Sequence, residues 1–360
     1  MNEPNMIAFT RGVPPVESFP IKRLEECAQI VLERDGNRLL QYGKAAGYEP
    51  LRECLADQYH TPKGQVIVGQ GSLQLLDTLV RVTLSAQDHV FVEQPSYDRV
   101  LTIFRRSGTQ LEGIDLQNGL LDMAQLEAKL RSGLRPRYFY TIPDFQNPSG
   151  AVMPLEARHK LIELSRTYEF YLIEDGPYRD LRYHGQALPA LFELAPGRVI
   201  FMSSYSKLIS PGLRVGFMIL PPELVEDVRK FAEDTYINAS YLNQAIAYEF
   251  IQRGWFDENL EQLKELYRPR LDTLLVTLAE EFGGRAEWVK PEGGFFVGLN
   301  LAAGGRSPDQ AAQQTAGLAL SDSRGFFIDG GEGFIRLPFC ALTPEQLQEG
   351  VRRLSRAIFS

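Results

Sequence analysis

Val199-Ile-Phe-Met-Ser-Ser-Tyr-Ser-Lys-Leu-Ile-Ser-Pro-Gly-Leu-Arg-Val-Gly-Phe-Met218 decides how this chain is read. Val199 to Met202 is a short apolar run of strand character, and Val215 to Leu220 is a second. Between them the chain turns through Ser203, Ser204, Tyr205 and Ser206 to one cation, Lys207, and turns again at Pro211-Gly212 before Arg214. A lysine after a strand is ordinarily a solvated loop residue, because an ammonium group is costly to bury unpaired. Here hydroxyls and an arginine crowd the same few positions. The combination suits a lysine imine beside a phosphate: the amine supplies covalent catalysis, and the hydroxyls with the guanidinium fork hold the anion.

Upstream, strands and helices alternate. Val66–Val68 is a strand that turns through Gly69-Gln70-Gly71-Ser72 into a helix carrying Leu73, Leu75, Leu76, Leu79 and Val80. His89–Glu93, Leu111–Ile114, Tyr138–Ile142 and Tyr171–Ile173 are further strands, the last ending in Glu174-Asp175, with helices at Tyr97–Arg106, Met123–Leu130 and Leu155–Thr167. This order predicts an α/β fold with a mostly parallel central sheet and helices on both faces. Ligands of such sheets bind at the carboxyl ends of the strands. Gly71, Tyr97, Asn147, Asp175 and Lys207 each follow a different predicted strand, so one convergent site is expected. The Gly71-Ser72 turn offers free N–H groups at a helix start, as a phosphate requires. It is also half of a dinucleotide fingerprint, but the third glycine is replaced by Gln74, which argues against a nicotinamide cofactor.

Residues 7–20 carry several prolines and read as irregular; Ser18 to Arg34 reads as an amphipathic helix with Leu24, Cys27, Ile30 and Val31 on one stripe. A loop over Tyr42–Tyr48 leads to a helix over Glu49–Tyr59. Beyond Leu220, long helices are predicted over Pro222–Arg253 and Trp255–Phe282, strands over Phe295–Leu299 and Gly333–Leu337, and a last helix over Pro344–Ile358. The expected division is a large domain over residues 36–260 and a smaller α+β domain from residues 1–35 and 261–360.

The 360 residues carry a net charge of −8 and show no block of lysine and arginine, which speaks against a nucleic-acid partner. Cys27, Cys54 and Cys340 are far apart and form no CxxC pair; they read as reduced core residues of a cytoplasmic protein. His60, His89, His159 and His184 have no metal-ligand spacing, so no metal is expected. The first residues lack the pattern of a signal peptide, and no apolar run approaches the length a bilayer needs.

Four motifs then occur in one order: Asn147-Pro148-Ser149-Gly150, Glu174-Asp175-Gly176-Pro177-Tyr178, Ser204-Tyr205-Ser206-Lys207 with Pro211-Gly212-Leu213-Arg214, and Ile335-Arg336-Leu337. In that order and rough spacing, from Ile7 to the end, the chain resembles the class I/II aminotransferases, pyridoxal-phosphate enzymes of fold type I, and within them the 2-aminoadipate/aromatic group. The resemblance implies the following roles. Lys207 carries the cofactor covalently and shuttles a proton; Asp175 faces the pyridine nitrogen and keeps the ring cationic. Asn147 and Tyr178 donate to the ring's phenolate oxygen, and Tyr97 stacks on the ring. Arg214, Ser204 and Ser206, with the Gly71-Ser72 backbone, hold the phosphate. Tyr42 reaches the phosphate of a partner subunit, which implies a homodimer with shared sites. Arg336 clamps the substrate α-carboxylate, a bidentate task lysine cannot copy.

Two departures bear on the reading. Leu73 stands where the family often has a glutamine, so backbone contacts must serve there. Thr10-Arg11-Gly12-Val13-Pro14 replaces the usual Gly-Gly-Leu-Pro, and Arg11 could meet a distal carboxylate. The implied activity is transfer of an amino group between an L-amino acid and a 2-oxo acid, with glutamate and 2-oxoglutarate as one pair. A pyridoxal-phosphate β-lyase or decarboxylase shares the same opening chemistry. An effector domain of a transcription regulator is the remoter alternative, disfavoured by the acidic charge and by a chain that opens on the enzyme-like segment.

Overall fold

The computed structural model describes residues 6–302 and 317–359. The elements run β1 (Ile7–Phe9), α1 (Ile21–Leu39), α2 (Glu49–Gln58), β2 (Val66–Gly69), α3 (Ser72–Thr83), β3 (His89–Gln94), α4 (Asp98–Ser107), β4 (Gln110–Gln117), β5 (Leu120–Leu121), α5 (Met123–Arg131), β6 (Pro136–Thr141), α6 (Leu155–Thr167) and β7 (Tyr171–Asp175). They continue with α7 (Leu191–Leu194), β8 (Val199–Ser204), β9 (Gly216–Ile219), α8 (Pro222–Thr235), α9 (Tyr241–Gln252), α10 (Trp255–Phe282), β10 (Ala286–Trp288), β11 (Phe296–Leu301), β12 (Leu318–Leu320), β13 (Phe334–Pro338) and α11 (Pro344–Phe359).

An eight-stranded sheet in the order β2-β9-β8-β7-β6-β3-β4-β5 organises the larger part. The pairs from β8 through β4 are parallel; β9 is antiparallel to both neighbours, so β2 points the same way as β8. Its central strands β3, β6, β7 and β8 are largely buried because both faces are covered. Phe139, Leu172 and Phe201 point into a core with α1, α2, α6 and α9, whereas Tyr140, Ile173 and Ile200 point into a core with α3, α4 and α8. A third core joins α10 and α11 to the three-stranded sheet β10-β11-β13 and to Phe9.

Several expectations are corrected. Ile7–Phe9 is a strand, paired in parallel with Leu318–Leu320, a partner over three hundred residues away that no local pattern reveals. Helix α1 starts at Ile21, since the Ser18 hydroxyl is tied to Pro15 O at 2.6 Å in a short turn. Its buried Cys27, Val31 and Leu39 lie in the core of the large sheet. The span Pro222–Arg253 is two helices: Ile237 takes φ 66°, the Asn238 side chain accepts from Gly43 N at 3.0 Å, and Ser240 caps α9. Cys27 and Cys340 are buried thiols, but Cys54 is only partly covered. Among the described residues no helix is long and apolar enough to cross a membrane.

Candidate active site

The carboxyl ends of the strands open on a cavity of about 690 Å³. Gly71 past β2, Tyr97 past β3, Asn147 past β6, Asp175 at the end of β7, and Ser204, Ser206 and Lys207 at the end of β8 all line it, with Ser72, Tyr178, Arg214, Arg336 and Arg11. The sites expected from separate strand ends are thus brought together. Tyr42 is not among them: it stands 77% exposed on the loop after α1.

At one end, Gly71 caps the start of α3 with φ 91°. A Cβ there would lie 2.5 Å from Arg214 Nη2, so only glycine lets the guanidinium come this close. Arg214 Nη2 donates to Gln70 O at 3.0 Å and Nη1 reaches Ser206 Oγ at 3.4 Å. Gly216 lets β9 pass equally close, since a Cβ would lie 2.4 Å from Ser72 N. Free N–H groups, a hydroxyl and a guanidinium therefore share one exposed corner, a donor set for an anion.

In the middle, Lys207 Nζ donates to Gly12 O at 2.8 Å and lies 5.7 Å from the centre of the Phe295 ring. Burial holds its ammonium below the usual lysine range, and Arg11, Arg336 and Arg214 add to this against Cys340. Asp175 is buried; its Oδ2 accepts from Tyr140 Oη at 2.7 Å, while Oδ1 has no partner among the described residues. Burial pushes this carboxyl up to about 7, against the lowering hydrogen bond from Tyr140. The Tyr178 ring packs against Phe295 and Phe296, and burial raises its phenol well above the usual range.

At the other end, Arg336 on β13 is buried, its guanidinium carbon 4.8 Å from the Phe296 ring centre and 4.4 Å from that of Phe326. Nη1 donates to Asn147 Oδ1 at 3.0 Å and Nη2 to Thr10 O at 2.7 Å and Ser321 Oγ at 3.3 Å; Nε has no partner among the described residues. No carboxylate pairs with it among the described residues. Behind the sheet, Glu93 accepts from Ile142 N and Gln146 Nε2, and Gln146 Oε1 accepts from Ser149 N and Oγ, which fixes the Asn147 loop. Sequence reasoning missed Tyr140, Thr10, Ser321, Phe296 and Phe326. Only Tyr140 left a signal: a tyrosine in a strand covered on both faces needs a partner for its hydroxyl.

These residues fit pyridoxal phosphate. The partnerless Oδ1 of Asp175 suits a ring N–H, the Gly71–Arg214 corner suits a phosphate, and a lysine of lowered basicity stands between them.

The sequence model of the family described as aminotransferase class I and II matches residues 4–354. A 2-aminoadipate transaminase of Thermus thermophilus is 34% identical over 99% of this chain and 90% of that protein. An aromatic-amino-acid aminotransferase of Thermococcus litoralis is 32% identical over 98% of this chain and 88% of that protein. The crystal structure of an α-aminoadipate aminotransferase from Thermus thermophilus, complexed with N-(5′-phosphopyridoxyl)-L-leucine, matches 98% of this chain and 92% of that one at 34% identity and a TM-score of 0.92.

Proposed function

The chain belongs to the class I and II aminotransferases, and on that premise we propose that it moves an amino group between an L-amino acid and a 2-oxo acid, with glutamate and 2-oxoglutarate as one pair. Pyridoxal 5′-phosphate is its cofactor. The observation that carries the reading is Arg336: a buried guanidinium with no carboxylate partner among the described residues, in one cavity with Lys207 and Asp175.

Bound there, the cofactor supplies a carbonyl that takes up the amine and a ring that takes up the electron pair of the broken Cα–H bond. Lys207 Nζ removes the proton from Cα, a task its lowered basicity suits. Asp175 Oδ1 would hold the proton on the ring nitrogen, and Asn147 and Tyr178 would hold the ring's phenolic oxygen. Tyr97, which lines the same cavity, would cover the ring face. Arg214, Ser204, Ser206 and the Gly71-Ser72 backbone take the phosphate. Arg336 takes the α-carboxylate, and its two phenylalanines keep water from weakening that ion pair. Tyr42 serves the partner's phosphate in a cytoplasmic homodimer, and Arg11 reads a distal carboxylate. A panel of amino donors and 2-oxo acceptors tests the reading: single-turnover spectra should change with glutamate and revert with 2-oxoglutarate. Release of ammonia, pyruvate or carbon dioxide in place of that reversal would show a lyase or a decarboxylase.

A further inference from the structure

We propose that Tyr140 is the positioning residue that sets Asp175 for the cofactor: its hydroxyl takes one carboxylate oxygen and leaves the other to the ring nitrogen. This rests on the reading that Asp175 faces the ring. Tyr140 is fully buried on β6, in register between Val92 of β3 and Ile173 of β7, and its ring meets that of Phe104 edge-on at 6.3 Å. A ring fixed on both sides delivers its hydroxyl to one place, Asp175 Oδ2 at 2.7 Å. The remaining oxygen, buried and partnerless among the described residues, belongs to a side chain that lines the cavity.

Tyr97 at the start of α4, Tyr178 from the turn after β7, and Lys207 past β8 line the same cavity, and Glu93 stands on β3; among the described residues only Tyr140 is hydrogen-bonded to the Asp175 carboxylate. The consequence is electronic. A carboxylate that accepts a hydrogen bond is a weaker base. Tyr140 therefore keeps the shared proton on the ring nitrogen. Without it, burial favours the neutral acid facing a neutral ring, and the electron sink weakens.

Tyr140→Phe removes one oxygen atom and keeps the ring. In the cofactor-loaded protein, the pH midpoint of the absorbance change at the Lys207–cofactor linkage should rise by about half to one unit, because a less cationic ring withdraws less charge. Cofactor should bind roughly tenfold more weakly. In an Asp175→Asn background the same change should add nothing to the midpoint. Incorporating 3-fluorotyrosine at position 140, a stronger donor of nearly the same shape, should move the midpoint down, and it serves if the phenylalanine variant folds poorly. A midpoint that moves in Asp175→Asn but not in the position-140 variants overturns the role of Tyr140 alone. A midpoint unmoved in Asp175→Asn as well overturns the placing of Asp175 at the ring.

Discussion

The two arginines of the cavity are held in opposite ways. Arg214 is exposed, in the left-handed backbone region, and tied to backbone carbonyls and one serine. Arg336 is buried between two phenylalanines, and burial lowers the proton affinity of its guanidinium. An exposed cation costs little to keep and gains little per contact, since solvent screens it. A buried one is costly until an anion arrives, so its gain is concentrated in ligand binding. With Arg214 on the phosphate and Arg336 on the substrate carboxylate, as proposed, the phosphate end would be a permanent anchor and the carboxylate end a selective one.

The sharpest break falls between these ends. Lys207→Ala should lower turnover by about 1,000-fold or more, because the variant loses both the covalent attachment and the proton carrier. It should still retain cofactor, since Arg214 and the start of α3 are untouched. Borohydride reduction of the loaded wild type should fix the pyridoxyl group on Lys207; a label found on another lysine would refute the assignment.

The carboxylate end comes next. Arg336→Lys keeps the charge but loses the planar fork that reaches Asn147, Thr10 and Ser321 together. The half-saturation concentration for every amino acid should rise roughly ten- to a hundredfold, with cofactor affinity unchanged. An equal loss of cofactor would mean that the two ends are not separate.

The support behind that end carries a pH signature. Burial pushes the Glu93 carboxyl up to about 7 against its hydrogen bonds from Thr141, Ile142 and Gln146. A carboxyl with a raised folded-state pKa stabilises fully below its unfolded value, and that contribution is lost as pH rises through 7. Glu93→Gln does not titrate. It should therefore gain on wild type by about 2 kcal/mol between pH 5 and 8 in denaturant unfolding. A pH-independent difference would show that Glu93 is already ionised at pH 5.

At the phosphate end the corresponding change is steric. Gly216→Ala places a methyl group against the Gly71-Ser72 backbone, which must yield. Such overpacking costs at least about 1 kcal/mol, so cofactor should dissociate at least roughly fivefold more readily. The half-saturation concentrations for amino acids should stay where they were, which equilibrium dialysis and steady-state assays would check together.

The same contrast explains what the sequence made legible. The phosphate end is built from two continuous segments, 69–72 and 204–216, each a strand running into a turn, so periodicity and glycine spacing point straight at it. The carboxylate end draws on Thr10, Asn147, Phe296, Ser321, Phe326 and Arg336. Of these, Asn147 and Arg336 stood in recognisable motifs. The phenylalanines read as ordinary strand and turn residues, and Thr10 acts through its carbonyl, which has no side-chain signal at all. The break after Thr235 was hidden for a related reason: the Ile237–Ser240 turn is fixed by Gly43 and by a cap, not by a proline or glycine within it.

The smallest effect concerns Arg11, which lies between the two kinds of arginine. It lines the cavity, as Arg336 does, but it is exposed, as Arg214 is, and no ion pair holds it among the described residues. Its charge already acts inward, since it helps to depress the Lys207 ammonium. A distal carboxylate entering over Arg336 would meet this guanidinium at the cavity wall. Because water reaches the pair, its worth is about 1 kcal/mol, roughly fivefold in affinity, and not the larger value of a buried pair. Arg11→Ala should therefore raise the half-saturation concentration for glutamate and 2-aminoadipate about fivefold and leave leucine and phenylalanine unchanged. The difference should shrink in roughly 0.5 M salt, because screening acts on exposed charges. Equal changes for acidic and neutral substrates would place Arg11 on the lysine and not on the substrate.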